Sequence, residues 1–137
     1  MIRGKLFSEI FDEFKKASSK QDKINVLRYY DTPRLRAFFQ ILYKNHIVFD
    51  VEIPNYRPAV EPAGLNWTYL CMELDKLYRF TSNSPLPMKK KVALLALLLE
   101  SLHKDEAEIL VHLIKKDLNI EFLNPNIVKE ALPEIDI

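Results

Sequence analysis

Histidines and carboxylates are the side chains in this sequence whose spacing could support metal binding or acid–base catalysis. Glu108 and His112 are four residues apart, so they share one face of a helix. His103 lies nine residues before His112, which places the two imidazoles on opposite faces, and His46 stands alone. A metal site needs further ligands at a matching spacing. The pattern therefore indicates a surface contact and predicts no metal site.

The motifs of nucleophilic catalysis and of phosphate chemistry are also missing. Gly4 and Gly64 are isolated, and two separate glycines cannot form a glycine-rich phosphate loop. No G-x-S-x-G elbow occurs, and Cys71 has no histidine at a spacing that suggests a catalytic pair. Acid pairs such as Asp12-Glu13 and Asp105-Glu106 are explained by solvation at helix starts and faces. The sequence predicts no enzyme, catalytic residue, cofactor or small-molecule substrate.

Two runs of lysines carry the remaining chemical signal, because clustered cations attract phosphate. Lys89-Lys90-Lys91 open a helix, where positive charge opposes the helix dipole. That run is either a solvated helix start or a phosphate-facing patch. Lys115-Lys116 fall in the last turn of a helix, where cations complement the dipole. The formal net charge is only +1, so a role with nucleic acid needs a local patch.

The composition favours one all-α domain as the scaffold for these residues. A chain of 137 residues suits a single domain, and a hydrophobic content of 48% with two glycines favours helices over a turn-rich β fold. No apolar run reaches the ~18 residues that suggest a membrane span. Acidic residues come too early for a signal peptide, and one cysteine excludes an internal disulfide. We therefore expect a cytoplasmic protein without a membrane partner.

About seven helices are predicted, arranged around the block from Leu94 to Leu132. The leucines between 94 and 102 make one helix apolar on almost every side, so other helices must enclose it. Ser19 with Asp22, and the pairs Thr32-Pro33 and Asn124-Pro125, are typical helix starts. The predicted helices are Arg3–Lys16, Lys20–Tyr30, Pro33–Asn45, Asn66–Phe80, one after Pro87, one after the break at 101–104 and one from Pro125. The inward side of the fourth is predicted to be Trp67, Leu70, Cys71, Leu74, Leu77 and Tyr78.

Two segments are predicted to lie outside the helices of this single domain, which spans residues 1–137. Residues 46–64 contain three prolines and form a long connection, which is either an ordered cover or the part that faces a partner. Residues 133–137 are predicted to be a frayed tail.

The segment DEAEILVHLIKKDLNIEFLNPNIVKEALPEI carries a family resemblance. It resembles the N-terminal helical DNA-binding domain of ATP-dependent DNA ligases, most closely the phage type. Those ligases have an acidic helix start, an apolar run, a basic-basic/Asp-Leu turn, a short loop and a helix that ends near proline. The matching residues here are Asp105, Glu106, Ile109, Leu110, Leu113, Lys116, Asp117, Leu118, Ile127, Leu132 and Pro133. The segments at 6–30 and 32–45 are similar to the family's opening helices, so the resemblance covers nearly the whole chain.

Two departures from the ligase pattern change what the resemblance implies. Ligases continue into a nucleotidyltransferase core with a catalytic K-x-D-G lysine. Here the closest run, at 115–118, lacks the glycine and lies in the helical domain, so we expect no adenylation. Glu121 stands where ligases carry a glycine in the loop that approaches the DNA backbone. A carboxylate ~5 Å from a phosphate costs on the order of 0.8 kcal/mol even in bulk water.

The first functional hypothesis is a stand-alone, non-catalytic module that binds the backbone of duplex DNA without reading sequence. The candidate phosphate contacts are Lys89, Lys90, Lys91, Lys115, Lys116, Lys129, Arg34, Arg36 and Lys44. The second hypothesis is a protein–protein adaptor on the same scaffold, which would bind a phage or host replication or transcription protein. Its candidate contacts are Glu121, Phe122, Leu123 and Tyr56, because an apolar pair in a loop suits a protein pocket better than a phosphate.

Overall fold

The computed structural model describes residues 6–62 and 65–137, and its helices enclose one core of leucine and phenylalanine side chains. The described part of the chain contains no strand, which confirms the all-α prediction of about seven helices. A 3₁₀ helix, Leu74–Phe80, continues directly from the fourth α-helix. The α-helices are α1 (Phe7–Lys16), α2 (Lys20–Tyr29), α3 (Pro33–Tyr43), α4 (Leu70–Glu73), α5 (Met88–Ser101), α6 (Lys104–Ile114) and α7 (Pro125–Ala131).

Three of these helices begin at the polar residues that the sequence marks as caps. Ser19 Oγ accepts from the Asp22 N–H at 3.1 Å at the start of α2. Thr32 Oγ1 caps α3, and Asn124 Oδ1 accepts from the Ile127 N–H at 3.0 Å at the start of α7. Each bond satisfies one of the N–H groups that a helix start leaves without an intrahelical partner. The predicted starts of α2, α3 and α7 are therefore confirmed, whereas residues 3–5 of the first predicted helix lie outside the described residues.

Phenylalanines from α1 and α3 form the aromatic part of the core. The ring of Phe38 lies 4.8 Å from that of Phe7 and 5.4 Å from that of Phe11, measured between ring centroids. Phe39 contacts Phe11 at 6.0 Å with the rings edge to face. Tilted and edge-to-face contacts at these distances are favourable for aromatic pairs. Phe7 and Phe11, which are one turn apart on α1, therefore define the face of this helix that packs on α3.

The α5 helix buries one stripe rather than its whole surface. Leu95, Leu98 and Leu99 are buried, but Leu97 is 65% exposed. The expectation that this helix is enclosed on almost every side is therefore wrong on the Leu97 side. The following helix, α6, packs on α5, and α7 packs on α2, where the Arg28 guanidinium donates to the Glu130 carbonyl oxygen at 3.2 Å.

The fourth predicted helix differs most from its prediction. It begins at Leu70, and its second half is a 3₁₀ helix instead of a continuous α-helix. The Thr68 N–H donates to the carbonyl oxygen of Ser101 at 3.3 Å, so the chain still runs along the end of α5 at this point. As a result Trp67 lies outside the helix and is 91% exposed, and Tyr78 is also exposed. The prediction that these two side chains face inward is wrong.

The proline-rich connection is held against the bundle by backbone hydrogen bonds. Asp50 N–H donates to the Phe80 carbonyl oxygen and Ser82 N–H to the Val48 carbonyl oxygen, both at 2.8 Å. The Arg57 N–H donates to the Glu100 carboxylate at 2.9 Å. Residues 46–57 therefore cover the end of the 3₁₀ helix and reach Glu100 near the end of α5.

The last five residues lie against α3, which differs from the predicted frayed tail. Ile135 is buried in the core cluster. The Arg36 guanidinium donates to the Pro133 carbonyl oxygen at 2.9 Å, and the Lys44 ammonium pairs with the Asp136 carboxylate at 2.9 Å. One buried apolar side chain and two polar contacts explain why this segment is packed. No described helix combines the length and the apolar surface that crossing a bilayer requires.

Candidate functional site

Lys91, a predicted phosphate contact, lies inside the protein. Its side chain is buried because it occupies the same α5 stripe as Leu95 and Leu98. The ammonium donates to the carbonyl oxygens of Asp50 at 3.1 Å and Thr81 at 3.0 Å, and the Asp50 carboxylate lies 3.8 Å away. Lys91 therefore joins the proline-rich connection to α5, and its ammonium does not face solvent.

Lys116 is also engaged within the protein. Its ammonium donates to three carbonyl oxygens around the end of α3, those of Ile41, Lys44 and Ile47. A cation at a helix C-terminus complements the dipole and satisfies carbonyls that lack an intrahelical donor. Burial lowers the pKa of the Lys116 ammonium. Lys91 and Lys116, called here the inner lysines, therefore leave the set of candidate phosphate contacts.

Three further candidates on α3 have partners of their own. Arg36 forms a two-pronged ion pair with Asp31, at 2.7 and 2.9 Å, and this pairing lowers the pKa of the Asp31 carboxyl. Lys44 pairs with Asp136, as described above. The exposed Arg34 guanidinium lies 2.9 Å from the Met72 sulfur. Binding a phosphate with Arg36 or Lys44 would require an existing ion pair to open.

Besides Arg34, the exposed candidates are the two outer lysines of the α5 run, Lys89 and Lys90, together with Lys115 and Lys129. Lys89 and Lys90 lie in the first turn of α5, and Lys115 lies at the end of α6. Lys129 lies on α7 one turn after Asn126, and residues three apart share a helix face. Of the four, Lys129 is on the helix that borders the groove described next.

A groove of about 490 Å³ opens where α2 and α7 both begin. We call it the α2–α7 groove. It combines hydroxyl, amide and ammonium groups with an exposed aromatic ring and one aliphatic side chain. Its lining residues are Ser18, Ser19, Lys20, Lys23, Phe122, Asn124, Asn126 and Ile127. Its volume falls in the range of about 300–1,000 Å³ that small-molecule sites occupy.

Lys23 is held in place at this groove by the end of α1. Its ammonium donates to the Phe14 carbonyl oxygen at 2.9 Å and lies 5.7 Å from the centroid of the Phe122 ring. Such a distance permits a cation–π contact. Lys20, one turn before it on α2, is exposed and forms a long ion pair, 3.8 Å, with Glu130. The groove therefore presents two ammonium groups, one oriented by α1 and one free to move.

Phe122 is the exposed apolar residue of the groove. Its side chain is 64% exposed, and its backbone φ of 67° lies in the left-handed region. A bulky residue there costs about 1–2 kcal/mol relative to a right-handed conformation. Lys116 and Asn119 in the same loop also have positive φ, at 60° and 55°. The loop thus makes, without any glycine, a path for which glycine is the usual residue.

The other predicted protein contacts are divided between the surface and the core. Glu121 is exposed next to Phe122. Leu123 and Tyr56 are half-buried and pack against the core, and burial together with the nearby Glu108 carboxylate raises the pKa of Tyr56. Of the four predicted protein contacts, only Glu121 and Phe122 are therefore exposed.

A second groove, of about 550 Å³, lies between α1 and α6 and is rich in carboxylates. Glu9, Asp12, Asp105 and Glu108 line it, and His112 lies on the same side as Glu108. Within residues 6–62 and 65–137, no group of three or more potential ligands is placed to hold a metal ion. This groove repels phosphate, so it is not an extension of the α2–α7 groove.

Glu106 lies at the start of α6 but outside that acidic groove's lining. Its carboxylate accepts from the Ser8 N–H at 2.8 Å, which caps the start of α1. Burial raises the pKa of Glu106 despite this bond, and its second oxygen has no partner among the described atoms. Glu106 therefore connects the start of α6 to the start of α1.

Most residues of the α2–α7 groove are absent from the predicted site. They are Ser18, Ser19, Lys20, Lys23 and Asn126. The helix starts at Ser19 and Asn124 are visible in the sequence as separate caps. Their proximity depends on the packing of α2 against α7, about a hundred residues apart. The sequence does not show that α2 packs on α7, so it could not predict that these two N-caps lie close together.

The matching protein family is described as a family of unknown function (DUF6433), and its model matches residues 10–120. The matched part runs from within α1 through α6. No curated protein and no solved structure matches the chain, so neither comparison supports the ligase resemblance. Because the family model covers most of the sequence, the chain belongs to this family of unknown function.

Proposed function

We propose that this chain is a non-catalytic nucleic-acid-binding module that holds the backbone of duplex DNA without reading its sequence. The observation that carries the proposal is the α2–α7 groove, where Lys20 and Lys23 stand beside hydroxyl and amide groups. Backbone binding of this kind uses Lys and Arg charges together with polar side chains. The resemblance to the ligase helical domain supports the same function, as a hypothesis from sequence.

The proposed interface differs from the one expected from sequence. Of the nine candidate phosphate contacts named from sequence, it keeps Lys129, and it adds Lys20 and Lys23. The inner lysines are excluded because they donate to backbone carbonyl oxygens within the protein. Glu121 and Glu130 lie beside it and oppose phosphate binding, so the net gain in charge is small. We therefore expect weak binding with a strong dependence on salt. The expected location of this activity is the cytoplasm.

The test is duplex DNA binding by the full chain, measured by fluorescence anisotropy at ~50 and ~200 mM salt. Each phosphate contact that is lost reduces the slope of log affinity against log salt by about 0.9. We expect Lys20→Gln with Lys129→Gln to lower duplex affinity and to flatten that slope by about 2. The matched control is Lys89→Gln with Lys90→Gln, which removes the same charge from the start of α5.

Two outcomes contradict this assignment in different ways. Equal losses in the two double variants would show that the cations act through their total charge and not through the groove. An absence of binding by the wild-type chain at ~50 mM salt would exclude the DNA-binding module.

A second candidate function, the protein–protein adaptor, is favoured by exposed apolar residues near the end of α5. Val60, Trp67 and Leu97 are 92%, 91% and 65% exposed, and Leu65 is 70% exposed. The Thr68–Ser101 hydrogen bond places Trp67 close to the helix end that carries Leu97. Exposed apolar patches mark protein-binding surfaces. Trp67 is the single tryptophan, so a blue shift of its fluorescence would report a partner docking on this patch.

A further inference from the structure

We infer that the α2–α7 groove accepts an unpaired nucleotide, with its base against Phe122 and its phosphate at Lys20 and Lys23. This inference rests on the proposed function and names the substrate for that site: a DNA strand with a single-stranded segment. The occupant is chosen from the chemistry of the lining. Ammonium groups complement a phosphate, and an exposed aromatic ring complements the face of a base.

The Phe122 ring is placed where stacking is possible. It is 64% exposed in spite of its size, and its backbone keeps a φ of 67° that a non-glycine residue rarely adopts. Strained backbone of this kind concentrates at ligand-binding sites, where the surrounding structure maintains it. Leu123, the next residue, is packed against the core and holds the loop in position.

One ammonium group of the groove lies over one face of the Phe122 ring, which leaves the other face for a base. The Lys23 ammonium is 5.7 Å from the Phe122 centroid and is fixed by the Phe14 carbonyl oxygen. A phosphate bound there would therefore lie next to a base stacked on Phe122. Asn126 also lines the groove and offers an amide that can donate to a base edge or accept from it.

The geometry distinguishes an unpaired strand from an intact duplex. In a duplex each base face is covered by its neighbours, so an aromatic side chain can stack only on a base that has left the helix or lies in a single strand. Contacts to a duplex backbone need exposed cations but no concave pocket with an aromatic wall. A groove of about 490 Å³ with a ring, an aliphatic side chain and two ammonium groups fits a single nucleotide unit.

The experiment measures fluorescence anisotropy with three labelled DNAs at ~50 mM salt: a blunt duplex, the same duplex with a single-stranded tail, and a single strand. The variants are Phe122→Leu and, as a matched control on another face, Tyr78→Leu, which also replaces an exposed ring. We expect the wild-type chain to bind the tailed duplex and the single strand about five- to tenfold more tightly than the blunt duplex, as stacking of one base implies.

Phe122→Leu is expected to abolish that preference, so that the tailed and blunt duplexes bind equally, and to leave the melting temperature unchanged because the ring is exposed. Tyr78→Leu is expected to retain the preference. Equal wild-type affinity for the blunt and tailed duplexes, or an equal loss in both variants, would overturn the unpaired-nucleotide site while leaving backbone binding in place. No binding to any of the three DNAs would overturn both proposals.

Discussion

The inner lysines and Lys20 of the α2–α7 groove are the same residue type in two different roles. Lys23 combines the two, because it lines the groove and donates to the Phe14 carbonyl oxygen. Lys91 and Lys116 donate to two and three backbone carbonyl oxygens and connect segments that are distant in sequence. Lys20 is exposed at a groove, and its ion pair with Glu130 is long and solvated. The difference teaches that a run of lysines does not by itself define a phosphate patch, because the helix phase decides which ammonium is buried.

The helical phase of α5 explains why one lysine of the run 89–91 is buried and the other two are exposed. Successive helix residues are rotated by about 100°, so three consecutive lysines cannot all face the same way. Lys91 precedes Leu95 by four residues and Leu98 by seven, which places it on the buried stripe, whereas Lys89 and Lys90 remain exposed. The comparison between the two sets of lysines can be tested by stability measurements, since only the inner lysines support the fold.

Lys116→Met is expected to have the largest effect on stability. The substitution keeps an unbranched side chain at the same positive φ but leaves three carbonyl oxygens without a donor. Partial access of water to the half-buried site limits the loss, so we expect the free energy of unfolding to fall by about 2 kcal/mol in urea denaturation. Lys115→Met is the matched control, because Lys115 is exposed, and it should change stability by less than about 0.5 kcal/mol. Equal effects of the two variants would refute the structural role of Lys116.

Lys91→Met is expected to have the next largest effect, about 1.5 kcal/mol, because two carbonyl oxygens lose their donor and the site excludes water. The loss should be local. Hydrogen exchange of the Asp50 and Ser82 amides, which hold the proline-rich connection, should accelerate more than exchange in α6. Lys90→Met, one residue earlier and exposed, provides the control. Unchanged exchange at both amides in Lys91→Met would show that the connection does not depend on this ammonium.

Glu106 extends the comparison to a buried acid. Burial is the main cause of its raised pKa, and the Glu9 carboxylate adds to it, whereas the bond from the Ser8 N–H lowers it. The folded chain therefore holds the Glu106 proton to a higher pH than the unfolded chain does. The contribution of Glu106 to stability should fall as the pH rises from about 4.5, the ordinary glutamate value, through the raised pKa.

Glu106→Gln removes this titration and keeps an oxygen that can accept from the Ser8 N–H. We expect the melting temperature of the variant, relative to that of the wild-type chain, to rise with pH across that window. The difference between the two proteins is the relevant measurement, because carboxyls such as Asp31 and Asp136 have lowered pKa values and act in the opposite direction in both. A difference independent of pH would show that the pKa of Glu106 is the same in the folded and unfolded chains and that burial does not raise it.

The sequence was sufficient for the local features of the fold and insufficient for the site. Ser19, Thr32 and Asn124 specify helix starts through bonds to N–H groups within three residues, and these predictions are confirmed. Trp67 was placed on a helix because its spacing fits, but the chain bends at Trp67, and the neighbouring Thr68 donates to a carbonyl oxygen of α5. Such long-range contacts leave no periodic signal.

The same reason explains why the groove was not predicted. Lys129 and Phe122 were named for separate functions, and the packing of α7 on α2 brings Phe122 and the helix that carries Lys129 to the start of α2. The buried position of Lys91 was readable in principle, because its spacing from Leu95 and Leu98 continues the buried stripe. The position of Lys116 was not readable, since its partners are carbonyl oxygens around the end of α3.

Lys20→Gln is expected to have the smallest effect on stability and thereby to give the sharpest contrast with the inner lysines. Its ion pair with Glu130 is exposed on both sides, and exposed pairs contribute between zero and about 1 kcal/mol. We expect urea denaturation to give the wild-type free energy of unfolding within about 0.5 kcal/mol. The same variant should lower duplex affinity and its salt dependence, because the ammonium faces the groove. A variant that loses stability while binding DNA as before would reverse the assignment, because Lys20 would then serve the fold in the way that Lys116 does.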